Sequence, residues 1–321
     1  MIMKLVIVFL ATILVINQID AFSNLPNDYA EFLKYLDEYG IKYDTEEEQK
    51  LRFSIFKDNL KEIDILNKKH APHTTFGINQ FTVLTYEEFA KFYLMPKKYV
   101  NRTGKPYKLQ SGKVPQQLDW RTKNVVSHIK NQGQCGSCWT FAVTAALESH
   151  LAIKTQKHQL FSEQQLLDCV TNNYGCTGGY LDTAYQYIGW YGQVSEGAYP
   201  YTAKQGSCNI PNGERQKIQG YYDIVGGEDN LAAFIAEKGP ASFSIMCPKE
   251  MMHYKSGIFS VPNCKGTMVG WHAMAIVGYT DQYWIIKNSW SEKWGENGYV
   301  RFKRGMDLCE LGDGAGGPIL V

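Results

Sequence analysis

Residues Asn131–Phe141, NQGQCGSCWTF, place two cysteines three positions apart among glycines and follow the second directly with Trp139. Such a pair can be a redox couple, two metal ligands, a structural bridge, or one bridged cysteine beside a reactive thiol. The second cysteine, Cys138, stands where a Gly-Ser turn feeds a helix whose buried face is marked by Val143, Ala146, Leu147 and Leu151. Unpaired backbone N–H groups and the helix dipole favour a thiolate there. A thiolate needs a base–acid partner to become an acyl-transfer catalyst, and His272 is the candidate. Residues 272–288, HAMAIVGYTDQYWIIKN, read as a hairpin turning near Thr280 and Asp281, and symmetric pairing sets His272 opposite a residue close to Asn288. An amide oxygen there can hold the imidazole N–H and fix its tautomer, leaving the ring able to pair with a thiolate.

Around this core the chain divides in two. After Pro115, Trp, Tyr, Gly and Cys become frequent. The first half of that region looks helical, and Ser162 with Gln165 caps a second helix, SEQQLLDC. The second half reads as strands: PASFSIM, HAMAIVGY, QYWIIKNSW and GYVRFKR. Helices first and antiparallel strands after imply an α+β fold of two packed lobes.

Upstream, residues 22–113 lack cysteine and show helical periodicity. Asn27 or Asp28 can cap a helix carrying Phe32, Tyr35, Leu36 and Tyr39, which Gly40 stops. Thr45 and Glu48 form a capping box for a second helix towards Asn67. Along it Glu48, Arg52, Phe56, Asn59, Ile63 and Asn67 make one stripe, with Glu48 and Arg52 placed for an ion pair. The stretch 95–115, MPKKYVNRTGKPYKLQSGKVP, then reads as an exposed linker open to proteolysis.

Residues 1–21 combine Lys4, an apolar run from Leu5 to Ile16 and a polar stretch ending in Ala21, the layout of a secretory signal peptide. No later segment is long and apolar enough to span a bilayer. An exported product fits eight cysteines, all between Cys135 and Cys309, and the glycosylation acceptor Asn101-Arg102-Thr103. With 33 basic and 32 acidic side chains in 321 residues, the net charge of +1 gives no reason to expect nucleic acid as a partner.

The chain resembles papain-family cysteine protease precursors, most of all the cathepsin L-like group. CGSCW, Cys135–Trp139, matches the family's C-G-[SA]-C-[WY], and His272 and Asn288 follow Cys138 at 134 and 150 residues. The resemblance implies a papain-like fold with a helical lobe, an antiparallel barrel-like lobe and an N-terminal helical propeptide. It makes Cys138 the nucleophile, His272 the base and acid, and Asn288 its orienter. Gln132 and the Cys138 N–H would form the oxyanion hole, and Trp290 would shield the His–Asn bond. Gly178 and Gly179 would form the strand that binds substrate backbone, with Tyr180 beside the S2 pocket.

The same resemblance implies bridges Cys135–Cys176, Cys169–Cys208 and Cys264–Cys309, leaving Cys138 and Cys247 free. A thioredoxin-like couple belongs to a βαβ unit, which is not visible here, and zinc would want further ligands at short spacings. The Glu48–Asn67 stripe and GINQFTV, residues 77–83, match the family's propeptide motifs. The implied layout is a signal peptide over 1–21, an inhibitory propeptide over 22–113 and a peptidase domain over 114–321. It needs no metal or cofactor. Implied partners are protein and peptide substrates, the propeptide itself and cystatin-like inhibitors, for a monomer in the lysosome or outside the cell.

Val83 stands where the propeptide motif has Asp, so activation is expected to depend less steeply on acid. Trp271, Ser291 and Glu310 also depart from the family pattern, and none removes a catalytic group. No long insertion separates Tyr180 from Cys208, where exopeptidase relatives carry a blocking loop, so endopeptidase action is expected. Gly314 or Ala315 falls near the base of S2, which suggests apolar residues at P2.

Overall fold

The computed structural model describes residues 27–97, 100–109, 114–312 and 314–321, so the expected signal segment and the expected cleavage region near Lys113 lie outside it. The chain forms two compact units, one ending at Glu62 and one running from Ile63 to Val321.

In the first unit, α1 (Asn27–Tyr39) buries Phe32, Tyr35 and Leu36. Gly40, at φ 64°, ends it, while Ile41 N–H returns to Leu36 O. Thr45 Oγ1 accepts from Glu48 N–H at the start of α2 (Glu46–His70), and Glu48 pairs with Arg52 at 2.7 Å. Phe56 is fully buried against Phe32 and Tyr35.

In the second unit, the Asn67 side chain holds both backbone groups of Phe76, at 3.0 and 2.8 Å, which fixes β1 (Thr74–Phe76) beside the end of α2. A capping box of Thr85 and Glu88 opens α3 (Tyr86–Tyr93). The cysteine pair leads into α4 (Cys138–Thr155), followed by α5 (Glu163–Cys169) and α6 (Leu181–Tyr191). These helices pack around Val143, Leu147, Phe161, Leu166 and Ile188.

The strands supply a second core around Phe243, Ile245, Ile276, Trp284, Ile286 and Phe302. They are β2 (Lys105–Tyr107), β3 (Leu118–Asp119), β4 (Ile218–Ile224), β5 (Ala241–Pro248), β6 (Tyr254–Phe259), β7 (Met268–Tyr279), β8 (Tyr283–Lys287), β9 (Tyr299–Lys303) and β10 (Ala315–Leu320). The sheet runs β1-β6-β9-β8-β7-β5-β10-β4-β2, with β3 against β7. A helix, α7 (Gly227–Glu237), follows β4. Two helix-rich and strand-rich cores therefore meet in this unit, and residues of β7 contribute to both.

Two expectations need correction. The β7–β8 hairpin is not symmetric: Ala275 faces Lys287 and Ile276 faces Ile286, but Gly278 faces Ile285. One extra residue bulges out between Ile276 and Gly278, so the open end is reached on a diagonal. The stretch read as an exposed linker is partly docked. Within it β2 pairs in parallel with β4, and Tyr107 is buried. Gly, Pro and Lys signal the absence of helix, but they do not reveal a strand that borrows its partner from elsewhere.

Candidate active site

Cys138 is the first residue of α4, and its sulfur is free and fully buried. The Ala273 N–H points to it at 3.4 Å, and its own N–H and that of Trp139 also favour the anion. Burial outweighs them and pushes the thiol up to about 12. His272 lies on β7 opposite Ile245, next in sequence to Ala273. Its Nε2 meets Asn288 Oδ1 at 2.7 Å. An amide oxygen only accepts, so Nε2 carries the hydrogen and Nδ1 is left as the base nitrogen. That Nδ1 is buried with no hydrogen-bond partner.

Asn288 Oδ1 also accepts the Ser289 N–H at 2.8 Å. The Trp290 ring stacks on the imidazole at 4.2 Å and 26°. Burial lowers His272 to about 4. In this covered state burial thus works against the charged forms of both the thiol and the imidazole, opposing the pull of the helix terminus toward the thiolate.

The cover is residues 81–95. Phe81, before α3, and Phe89, within it, meet the Trp290 ring edge to face at 5.4 and 5.3 Å. Gln132 Nε2 donates to Tyr93 O at 3.0 Å and to Cys135 O at 2.8 Å, while its Oε1 accepts from Ser289 Oγ. Met95 exchanges both backbone hydrogen bonds with Trp271, each 2.8 Å. Leu94 joins the strand core and Met95 the helix core. The passage is tight: a methyl on Gly136 would stand 2.9 Å from Leu94 O, and one on Gly270 2.9 Å from Leu94 Cβ.

Gly178 and Gly179 lie in a loop before α6 rather than in a sheet ladder, and Asn173 holds Tyr180 through both its N–H and its C=O. That loop is fastened by the bridge Cys135–Cys176, and the others are Cys169–Cys208 and Cys264–Cys309. Cys138 and Cys247 are free. With Cys135 tied to Cys176, a Cys135–Cys138 redox couple is ruled out. Asn101 is exposed.

Residues 114–319 match the model of the papain family cysteine proteases, and residues 32–89 match the cathepsin propeptide inhibitor domain. The chain belongs to the papain family of cysteine proteases. Pro-cathepsin H of Medicago truncatula is 37% identical over 90% of this chain and 86% of its own length. A cathepsin L-like proteinase of Fasciola hepatica is 36% identical over 88% and 91%. Among solved structures, procathepsin L 3 from Tenebrio molitor larval midgut aligns with a TM-score of 0.83, at 32% identity, over 92% of this chain and all of that one. This cysteine protease is thus a zymogen with a papain-like fold, and its propeptide is an intramolecular inhibitor.

Sequence reading missed a buried charge cluster in this protease. Glu148 of α4 accepts from Lys130 Nζ at 2.9 Å, from Phe161 N–H at 3.0 Å and from Ser127 Oγ. Lys130 also meets Glu163 at 2.8 Å, and Lys287 Nζ donates to Ser127 Oγ at 2.7 Å. Burial drags Lys287 down to about 8. Burial opposes the charge of Lys130 too, but Glu163 and Glu148 hold it above the ordinary lysine range. A small cavity separates this cluster from Ala273, Asn288 and Ser289. A glutamate inside the apolar run VTAALESHL was the available signal.

Proposed function

We propose that the mature enzyme is a thiol endopeptidase acting through Cys138, His272, Asn288 and Gln132. The observation that carries this is the set itself: a free sulfur at a helix start beside the neighbour of His272, with the imidazole tied by Nε2 to Asn288. Removal of the propeptide readmits water, and a proton then passes from Sγ to Nδ1. The thiolate attacks the scissile carbonyl carbon. The resulting oxyanion is met by the Gln132 amide and the Cys138 N–H, and in the zymogen that same amide already holds a carbonyl, Tyr93 O. As the C–N bond breaks, Nδ1–H gives its proton to the departing amine. Water, deprotonated by Nδ1, then opens the thioester and restores the thiolate. Trp290 keeps water from the His272–Asn288 bond.

Gly178, Gly179 and Tyr180 are assigned to substrate binding beside the cleft. An apolar P2 preference is supported by Gly314, where a methyl would stand 2.9 Å from Val100 Cγ2. We assign residues 1–21 to a signal, 22–113 to the propeptide and 114–321 to the peptidase. The expected setting is the lysosome or the extracellular space, as a monomer open to cystatin-like inhibitors and carrying a glycan on Asn101. The decisive test is hydrolysis of an Arg-capped dipeptide with Phe or Leu at P2, at mildly acidic pH. Activity should vanish in Cys138→Ala and after thiol alkylation. Hydrolysis that survives would remove the nucleophile assignment, and an inert wild-type enzyme would favour a silent, protein-binding relative.

A further inference from the structure

The propeptide does not end its contacts at the cleft. Residues 101–109, NRTGKPYKL, run on along the helix lobe and the free side of β4 and are gripped at almost every step. Asn101 N–H donates to Asp182 Oδ2 at 2.7 Å, in the first turn of α6. Thr103 Oγ1 bonds Tyr221 OH and accepts from Gln186 Nε2 at 2.8 Å. Gly104 N–H reaches Asp223 Oδ2 at 2.7 Å. Lys105, Pro106 and Tyr107 then pair in parallel with Tyr222, Asp223 and Ile224. Pro106 has no N–H to offer a further strand, which suits an outermost position.

Tyr107 is the anchor. Its ring stands edge-on to Phe234 at 5.1 Å and Tyr222 at 6.0 Å, and its hydroxyl donates to Glu237 at 2.7 Å. The Asn230 amide acts as a surrogate strand, donating to Tyr107 O at 2.9 Å and accepting from Leu109 N–H at 2.8 Å. Selectivity is built in at Gly104, where a methyl would come within 2.6 Å of the Tyr221 ring.

The receiving side is held by the peptidase itself. Tyr221 stacks on Tyr185 at 5.3 Å, Asn230 Nδ2 also bonds Val225 O, and β4 is paired along its other edge with β10. On the reading that the chain is cut near Lys113, loss of the propeptide leaves β4 as an open strand edge beside a preformed aromatic pocket. We propose that this edge is a peptide-binding exosite outside the catalytic cleft, whose occupant is the enzyme's own released segment Asn101–Leu109. Its ligand class is an extended peptide with glycine three residues before tyrosine, docked by strand addition.

Enzyme matured from the full-length precursor and capped at Cys138 with a small alkylator is titrated with labelled peptide 101–109, read by fluorescence anisotropy. Saturable binding is expected, at least tenfold weaker for the peptides Tyr107→Ala and Gly104→Val and for the enzyme Asn230→Ala. Binding should persist when a cleft-filling thiol-reactive peptidyl inhibitor replaces the small cap. No saturable binding, equal binding of the Tyr107→Ala peptide, or displacement by the cleft inhibitor would each overturn the exosite. A second measurement needs no processing: in the Cys138→Ala precursor, Tyr107→Ala should speed amide exchange over Tyr222–Ile224, the residues paired with the docked segment, at least tenfold. Unchanged exchange there would sink the anchor, while the endopeptidase assignment is judged separately by peptide hydrolysis.

Discussion

Cys138 and His272 show how much of an active site is state rather than identity. Under the propeptide burial pushes the thiol up to about 12 and the imidazole down to about 4, so the charged form of each is disfavoured. A raised thiol pKa means the reactive anion is scarce at every pH below it. Alkylation of Cys138, followed by mass spectrometry at pH 7, should therefore be at least about 100-fold slower in the precursor than after processing. Equal rates would show that the cover leaves the pair ionised. Gln132→Ala should lower kcat by about 10²–10³ with little change in KM, the range expected for loss of one oxyanion donor. Cys138, His272 and Asn288 could be singled out because their spacing matches a family signature, and the structure sets His272 against Asn288 and Ala273 against Cys138. Lys130, Glu148, Glu163 and Lys287 could not, because a charge in sequence reads as an exposed face until its counter-charges are located.

The helices were legible at their ends. Thr45 and Ser162 each accept the backbone N–H three residues on, and Gly40 takes the left-handed turn that ends α1. What escaped was pairing: the bulge in β7 and the docking of β2 depend on partners far along the chain, which local periodicity does not carry. α4 shows the energetic side. It is buried nearly all round, and Glu148 is the point where its interior is charged. Glu148→Gln strips an anion from Lys130 and should cost roughly 3–5 kcal/mol in denaturant unfolding of the Cys138→Ala precursor. A loss under about 1 kcal/mol would mean that the cluster is hydrated or dispensable. In the segment before α3, Val83 is buried at the position where the resemblance to the propeptide motif leads us to expect Asp. Val83→Asp should make processing depend more steeply on acid, and superimposable rate–pH profiles would discard that role.

Across the larger unit the propeptide makes successive contacts: aromatic edges on Trp290, a backbone pair at Trp271, and the tail along β4. The tail has its own pH logic. Burial raises Asp182 to about 7, with Asn101 N–H and Arg102 opposing the shift and Asp223 adding to it; burial raises Asp223 as well. A carboxyl whose pKa rises on docking makes the docked state bind protons more tightly. Its contribution to docking is fully present near the ordinary value of 3.8 and is lost as pH climbs through about 7. Acid therefore tightens the docking of residues 101–109 rather than freeing them, so on the proposed division of the chain their release falls to cleavage. Amide protection of residues 101–109 in the Cys138→Ala precursor, corrected for intrinsic exchange, should increase from pH 8 to pH 5, and Asp182→Asn should flatten that trend. Protection that falls with acid in the wild type would mean these carboxylates are ionised when docked, with Arg102 and the Asn101 N–H outweighing burial.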